Sequence, residues 1–589
     1  MRLVKTSIDF ANYDDCRDNI LLGDWCLKDR DDVLGSVYKY DKVPYHWDDR
    51  EKFYTDYLYL TDVYEKTLDQ LALALNNIHK TEEGSAYWRI IIGPWLRFFI
   101  DVVFGRFECV RHAALSYPKI ECELYSYQLS DWCPLNFTEF WSDFCTDEWN
   151  EVLLSEIIKY QKLDFSENVR VCVTRNATPS TERGVAKSLK KIGTFFLSMY
   201  STAFQGAGTG VFFVAPYVSL LTIFKLQLSM GQFPLLGLPV IETKSSPCDL
   251  GMRKELLPET DDTNFEGFLN ILLPHLLPKI YLEDFTYCKK QILKRCSVVP
   301  KAIFTANAFQ ADDIFKIWAS ENVGYGVPLI IGQHGGNFGV AKHNQSEDHQ
   351  LNTSKYFTTW GWAKEGHENI VQLPSMQLSS RSSVTPKNHG QIIHIMSSLP
   401  RYFYSHQSIP VAGQVLSYIE DQLKFFGSLD SRQSKCLKIR LDLSGGERSW
   451  DVTKILRIHG YDQKIDSSTS TLRESLMQSK LCICTHNATV FLETLAMNFP
   501  TIVFWNPVYY EINDDAKPFF DMLREAGILF HCPEAAAAKV NSIEDNIEQW
   551  WYSDSVQMAR KKFCEQYAHS SDDWAHEWGE FLLGAKKIL

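Results

Sequence analysis

The feature that most restricts how this chain can fold is an alternation of short, continuous apolar runs with segments of helical periodicity. VRVCVT (169–174), KAIFTAN (301–307), VPLIIGQ (327–333) and KYFTTWGW (355–362) form one series. IIHIMSS (392–398), CLKIRLDL (436–443), KLCICTH (480–486) and PTIVFWN (500–506) form a second. Runs this short and this apolar suit strands covered on both faces, and parallel strands need crossovers between them, usually helical. A polar stretch, QLSSRSSVTPKNHG (377–390), separates the two series and has the Ser, Pro and Gly content of a linker. At 589 residues the chain exceeds what one core usually organises. The expectation is an α/β protein with two Rossmann-like domains facing a cleft, residues 1–380 and 390–550. Between about 54 and 165, apolar residues recur at three and four, as in TDVYEKTLDQLALALNNIH, which predicts a helical insertion in the first domain. Residues 551–589 are expected to form terminal helices that pack back on that domain.

Composition removes several alternatives. Hydrophobic residues make up 45% and charged residues 23%, the balance of a globular protein and not of a disordered one. With a net charge of −13 and no long Lys/Arg block, the chain lacks the basic footprint that nucleic acid requires. The closest cysteine pairs, Cys16/Cys26, Cys122/Cys133 and Cys482/Cys484, match no zinc spacing. The start, MRLVKTSIDFANYDD, carries no signal-peptide pattern, so reduced thiols and a cytoplasmic location are expected. Two apolar segments invite a membrane test. In YWRIIIGPWLRFFIDVVF (87–104) the residues Arg89, Arg97 and Asp101 would each cost ~3 kcal/mol near a bilayer centre, so a buried helix with paired charges fits better. GTGVFFVAPYVSLLTIF (208–224) is interrupted by Pro216 and is shorter than a span, which leaves a core or membrane-surface element.

Three groups of residues can carry chemistry. In KLCICTHNATVFLETLAMNFPTIVFWNP (480–507) an apolar strand runs into Thr485, His486 and Asn487, and a helix follows from near Ala488. A helix N-terminus at the carboxyl edge of a parallel sheet offers free N–H groups and partial positive charge to phosphates. Asn487 or Thr485 is the expected N-cap, Thr489 adds a hydroxyl, and Glu493 lies one turn beyond on the same face, able to accept from ribose hydroxyls. An ordinary capped helix with a solvated Glu493 accounts for the same residues.

The second group is VPLIIGQHGGNFGV (327–340). A buried strand ends at Gln333 and His334, then Gly335, Gly336 and Gly339 allow a tight turn and close approach to a ligand. His334 is sited to act as a general base, or as a structural histidine bonded to loop carbonyls. Glu347 and Asp348, in the polar run 342–349, supply a second acid or belong to a solvated loop. No metal motif and no cofactor site emerges. The third group is basic: Arg401 and Arg440 at strand ends are candidates for a donor's anionic groups, whereas surface pairing accounts for Arg448.

The chain resembles a family of transferases from O-antigen and related surface-polysaccharide clusters, through LLGDWC (21–26), YWRIIIGPWL (87–96), IIGQHGGNFG (330–339), TTWGW (358–362), MSSLPRY (396–402) and THNATVFLETLAMNFPTIVFWNP (485–507). Its two central motifs are also similar to those of capsule glycosyltransferases that use CMP-Kdo and of polymerases that use CDP-glycerol. That resemblance implies a GT-B fold and a nucleotide-sugar donor, with a CMP-activated keto sugar acid as the donor class. It also implies a glycan or lipid-linked glycan acceptor and peripheral contact with the inner membrane. By the same resemblance, His334 matches the base and residues 485–489 match the phosphate cradle. A CDP-polyol phosphotransferase and a non-catalytic assembly protein of the same shape are the alternatives. Gly336 and Asn337 stand where the polymerases have Thr-Pro.

Overall fold

The computed structural model describes residues 1–12, 18–175, 210–232, 237–238, 241, 243–258, 262–296, 299–381, 383–442, 445–468 and 470–586. Residues 208–209 of the second apolar segment, 382 of the linker and 587–589 of the terminal helices lie outside that set.

The N-terminal 175 residues build a layer of their own. Strands β1 (Arg2–Val4) and β2 (Asn19–Leu21) pair in parallel, as do β3 (Cys122–Ser126) and β4 (Phe165–Cys172). The Leu3 amide donates to the Glu121 carbonyl at 2.9 Å, so a single isolated bridge links the two two-stranded sheets. The helical periodicity in this region resolves into α1 (Arg50–His79), α2 (Ser85–Ser116) and α3 (Asp147–Tyr160). The Asp49 side chain caps α1, accepting from the amides of Glu51 and Lys52. Helix α2 is buried almost all round, the mark of a central helix. The charges that argue against a membrane span are paired: Arg97 with Asp101 at 3.2 Å, and Arg89 with Glu65. Among the described residues no helix is long and apolar enough to cross a membrane.

The first of two larger sheets runs β5 (Val211–Val214), β6 (Ala302–Thr305), β7 (Leu329–Gly332), β8 (Tyr356–Thr359) and β9 (Ile370–Gln372), all parallel and in sequential order. Helices α4 (Asp313–Gly324) and α5 (Gln345–Thr353) connect its strands. The second holds β10 (Gln391–Met396), β11 (Leu437–Leu441), β12 (Ser479–Cys484), β13 (Thr501–Phe504) and β14 (Leu529–Phe530), in the order β11-β10-β12-β13-β14, again all parallel. The chain leaves β10 toward one edge and returns to the other side, so a crevice opens outside the carboxyl ends of β10 and β12, where doubly wound sheets take ligands. Helices α6 (Gln414–Ser428) and α7 (Thr489–Ala496) flank that crevice. The terminal helices α8 (Asp554–Tyr567) and α9 (Trp574–Lys586) divide their packing. Phe563 of α8 meets Phe491 of α7, while Trp574, Trp578 and Leu582 of α9 bury against Val211, Phe213 and Phe304 of the first sheet. Two Rossmann-like sheets with facing carboxyl ends and a C-terminal helix returning to the first constitute a GT-B layout.

The segment after β10 departs from the expectation for a strand-end loop. Residues 399–409 leave the second sheet and embed in the N-terminal layer. The Arg401 guanidinium donates to both carboxylate oxygens of Asp147 (2.9 and 2.6 Å), and Tyr402 Oη donates to the same group. The backbone of His406 donates to Asp101 at 3.1 Å, and Gln345 Nε2 donates to Ser405 Oγ at 2.6 Å. The buried charges of α2 and α3 thus hold a loop of the other sheet.

Candidate functional site

Helix α7 begins at Thr489 with Ala488 as its N-cap, and no side chain caps it. This corrects the expected cap. Thr485 Oγ1 instead donates to the Ile395 carbonyl at 2.8 Å and lies 2.7 Å from Tyr418 Oη. Tyr418 Oη also accepts from the Ser397 amide at 2.9 Å. These bonds stitch the floor of the crevice between β10 and β12, and leave the first turn of α7 without a side-chain acceptor. Asn487 is 4% exposed and places Nδ2 3.4 Å from Asn337 Oδ1, while its own amide oxygen has no partner. His486 Nδ1 is likewise buried without a partner, and burial lowers that imidazole to about 4. An uncapped helix start leaves N–H donors open to an anion, while the partnerless Asn487 Oδ1 beside it is open to a hydrogen-bond donor of a ligand.

The glycine turn of the first sheet lies directly over this helix start. The Gly336 amide donates to Thr489 Oγ1 at 3.2 Å, and a Cβ on Gly336 would stand 2.5 Å from the Ala488 carbonyl carbon. Gly339 has φ +69°, and a Cβ there would strike Trp362. The turn is braced from behind by Gln333. Its Oε1 accepts from the Trp360 amide (3.0 Å) and from Trp362 Nε1 (2.8 Å), while Nε2 donates to the Gly335 carbonyl (2.8 Å). His334 is half-buried among the rings of Tyr217, Phe309 and Phe338. Burial pulls its imidazole down to about 4, partly offset by a hydrogen bond with the backbone of Ala306, and Nδ1 has no partner. The imidazole is therefore neutral at pH 7 and able to take a proton. The cavity beside it measures about 20 Å³, room for one water molecule.

The remaining expected residues are engaged elsewhere. Arg401 is 1% exposed and spent on Asp147, so it is not presented to a donor phosphate. Arg440 is held by Ser475 Oγ (3.1 Å) and the Ser470 carbonyl (2.8 Å), on the β11 side. Arg448 reaches the Trp141 carbonyl at 3.4 Å. Glu347 belongs to no solvated loop: it is 6% exposed, accepts from the Gly339 amide at 2.7 Å and lies 3.4 Å from Lys364 Nζ, with burial raising its carboxyl. It fixes the glycine turn. Asp348 accepts from Tyr57 Oη. Glu493 is not solvated either; Gln377 Nε2 donates to it at 3.0 Å and Arg381 pairs with it, so two residues of the interdomain connection occupy its oxygens. Among the described residues no cluster could hold a metal ion.

Sequence reasoning missed Tyr418, Gln377 and Arg381. For Tyr418 a signal existed: Gln414, Tyr418 and Gln422 recur every four residues on the buried face of α6. Each bonds inward, to Trp47 O, to Thr485 and to His394. For Gln377 and Arg381 the Ser-rich context pointed only to a connection.

The sequence model of the LIC12162 family of transferases matches residues 1–582. No curated protein sequence matches the chain. Among solved structures, MurG of Acinetobacter baumannii is similar at 11% identity over 64% of this chain and 99% of that one, with a TM-score of 0.33. An α,α-trehalose-phosphate synthase (UDP-forming) of Burkholderia vietnamiensis is similar at 8% identity over 64% of this chain and 97% of that one, with a TM-score of 0.34. Likenesses this distant add nothing to the strand order described above. A match that runs from the first residue of β1's segment through most of α9 is a different matter, and by it the chain belongs to the LIC12162 family of transferases.

Proposed function

We propose that the protein is a glycosyltransferase of surface-polysaccharide assembly, acting in the cytoplasm on a glycan or lipid-linked glycan acceptor. The observation that carries this reading is the uncapped start of α7, lying at the crevice between β10 and β12 and covered by the turn that bears His334. The donor's phosphate rests on the free amides at Thr489, between Asn487 and the glycine turn. Neutral His334 takes the proton from the acceptor hydroxyl as that oxygen bonds to the anomeric carbon of the donor sugar. The bond from that carbon to the nucleotide phosphate breaks, and the charge left on the phosphate is met by the helix start. Glu493 accepts from the ribose once Arg381 releases it, and Gln333 and Glu347 position the turn. Family resemblance supports a CMP-activated keto sugar acid as the donor.

The test is a panel of CMP-, CDP-, UDP- and GDP-linked donors, scored by protection against thermal unfolding. A donor at 100 times its Kd adds about 2.7 kcal/mol. Protection by CMP-sugar acids supports the reading; protection by CDP-polyols alone moves the reaction to polyol-phosphate transfer. Indifference to every nucleotide removes catalysis at this crevice.

A further inference from the structure

Away from His334, the contact between the two sheets' loops encloses a larger space. Residues 340–342 run antiparallel to 511–513: the Lys342 amide donates to the Glu511 carbonyl at 3.0 Å, and the Asn513 amide to the Val340 carbonyl at 2.9 Å. This tether forms one wall of a cavity of about 600 Å³, within the roughly 300–1,000 Å³ of ordinary small-molecule sites. Trp505 and Tyr510 line it after the carboxyl end of β13, and Tyr54 of α1 lines it beside Lys342. Trp505 also packs on Phe491 of α7, and Asn513 Nδ2 donates to the Gly339 carbonyl at 2.9 Å, so the cavity adjoins both halves of the candidate site.

Its charges are already matched. Lys342 pairs with Glu51 at 3.3 Å, Arg50 with Glu511 at 2.7 Å, Lys517 with Asp514 at 2.5 Å and Arg524 with Asp521 at 2.8 Å. Lys342 also lies over the Tyr54 ring at 4.4 Å. A wall of paired charges selects neither an anion nor a cation, yet it offers many donors and acceptors beside aromatic faces. Those are the demands of an uncharged polyhydroxyl ring, whose hydroxyls both donate and accept and whose C–H face packs on aromatic carbon.

We infer that this cavity binds a neutral saccharide segment of the acceptor glycan, away from the hydroxyl that reacts at His334. The inference rests on the glycosyltransferase reading. Saturation-transfer NMR on the full chain tests it, with the methyl glycosides of glucose, galactose and N-acetylglucosamine as probes and N-acetylneuraminate as the acidic comparator. At least one neutral probe should bind, and Tyr54→Ala should weaken it by about fivefold or more, as loss of one contact partner does. Asp514→Ala should do the same, and with Asp514 almost fully exposed that change leaves folding undisturbed. Donor protection against unfolding should be equal in both variants and the wild type. No binding of the neutral probes, binding unaltered in both variants, or binding of N-acetylneuraminate alone would overturn the inference. Loss of donor protection in the wild type would instead strike the glycosyltransferase reading itself.

Discussion

The turn after β7 and the turn after β12 touch each other, yet they are built in opposite ways. The first is held by side chains: Gln333 bonds the Gly335 carbonyl within it and ties it to Trp360 and Trp362 beyond β8, and Glu347 accepts from the Gly339 amide. The second leaves its helix start bare, with Thr485 turned inward to Tyr418 and Ile395. A proton acceptor must be fixed in place, whereas an anion site needs amides that nothing else has claimed. On the proposed reading, this contrast suits the turn of β7 to proton transfer and the start of α7 to the phosphate.

The largest effect expected from breaking that contrast is on turnover. His334→Ala should lower kcat roughly 10²- to 10⁴-fold at saturating donor, with donor affinity unchanged; near-normal turnover would leave His334 structural. Because burial holds this imidazole at about 4, the acid limb of kcat/KM should fall near pH 4 and not at the ordinary 6.5. The sign for stability follows from the same shift. Between pH 6.5 and 4 the unfolded chain binds more protons at this group, so its contribution is complete above 6.5 and is lost as the pH falls toward 4.

Next comes Arg401→Ala, which strips a partner from buried Asp147 and should cost roughly 3–5 kcal/mol in denaturant unfolding. Little change would show that Tyr402 and Ser7, which also donate to Asp147, suffice for it. Gln333→Leu should cost about 2–3 kcal/mol by orphaning Trp362 Nε1 and the Trp360 amide, and should slow turnover with it. Stability loss without slower turnover would separate the brace from the chemistry.

How far the sequence reaches is clear from the same residues. The apolar runs mark strands β6 to β8, β10, β12 and β13 because strands buried on both faces leave a nearly unbroken signal, whereas β11, half-buried at Lys438, Arg440 and Leu441, alternates. The three-residue strands β1 and β2 leave none. The glycines of 335–339 announced a close approach, and Gly336 makes it, against Ala488. In sequence a strand-end arginine such as Arg401 looks the same whether it meets a phosphate or Asp147, which lies 254 residues earlier in the chain. The environment of Glu493 is hidden from local sequence for a similar reason, since its partners Gln377 and Arg381 come from the connection between the two sheets.

The smallest expected effect concerns that pair. Arg381 is about one-third exposed, so its pairing is worth only ~1 kcal/mol or less. Arg381→Ala should tighten donor binding by about two- to fivefold in calorimetric titration, by freeing Glu493 for ribose. Weaker binding would mean that Arg381 itself serves the donor.

The most direct test of the account compares donor protection against thermal unfolding in wild type, Thr489→Val and Thr489→Leu, using the best donor of the nucleotide panel. The account predicts a modest loss in Thr489→Val, which removes only the hydroxyl that accepts from Gly336. It predicts abolished protection in Thr489→Leu, whose larger side chain fills the space above the helix start. Full protection in a folded Thr489→Leu protein would place the phosphate elsewhere and contradict the central claim.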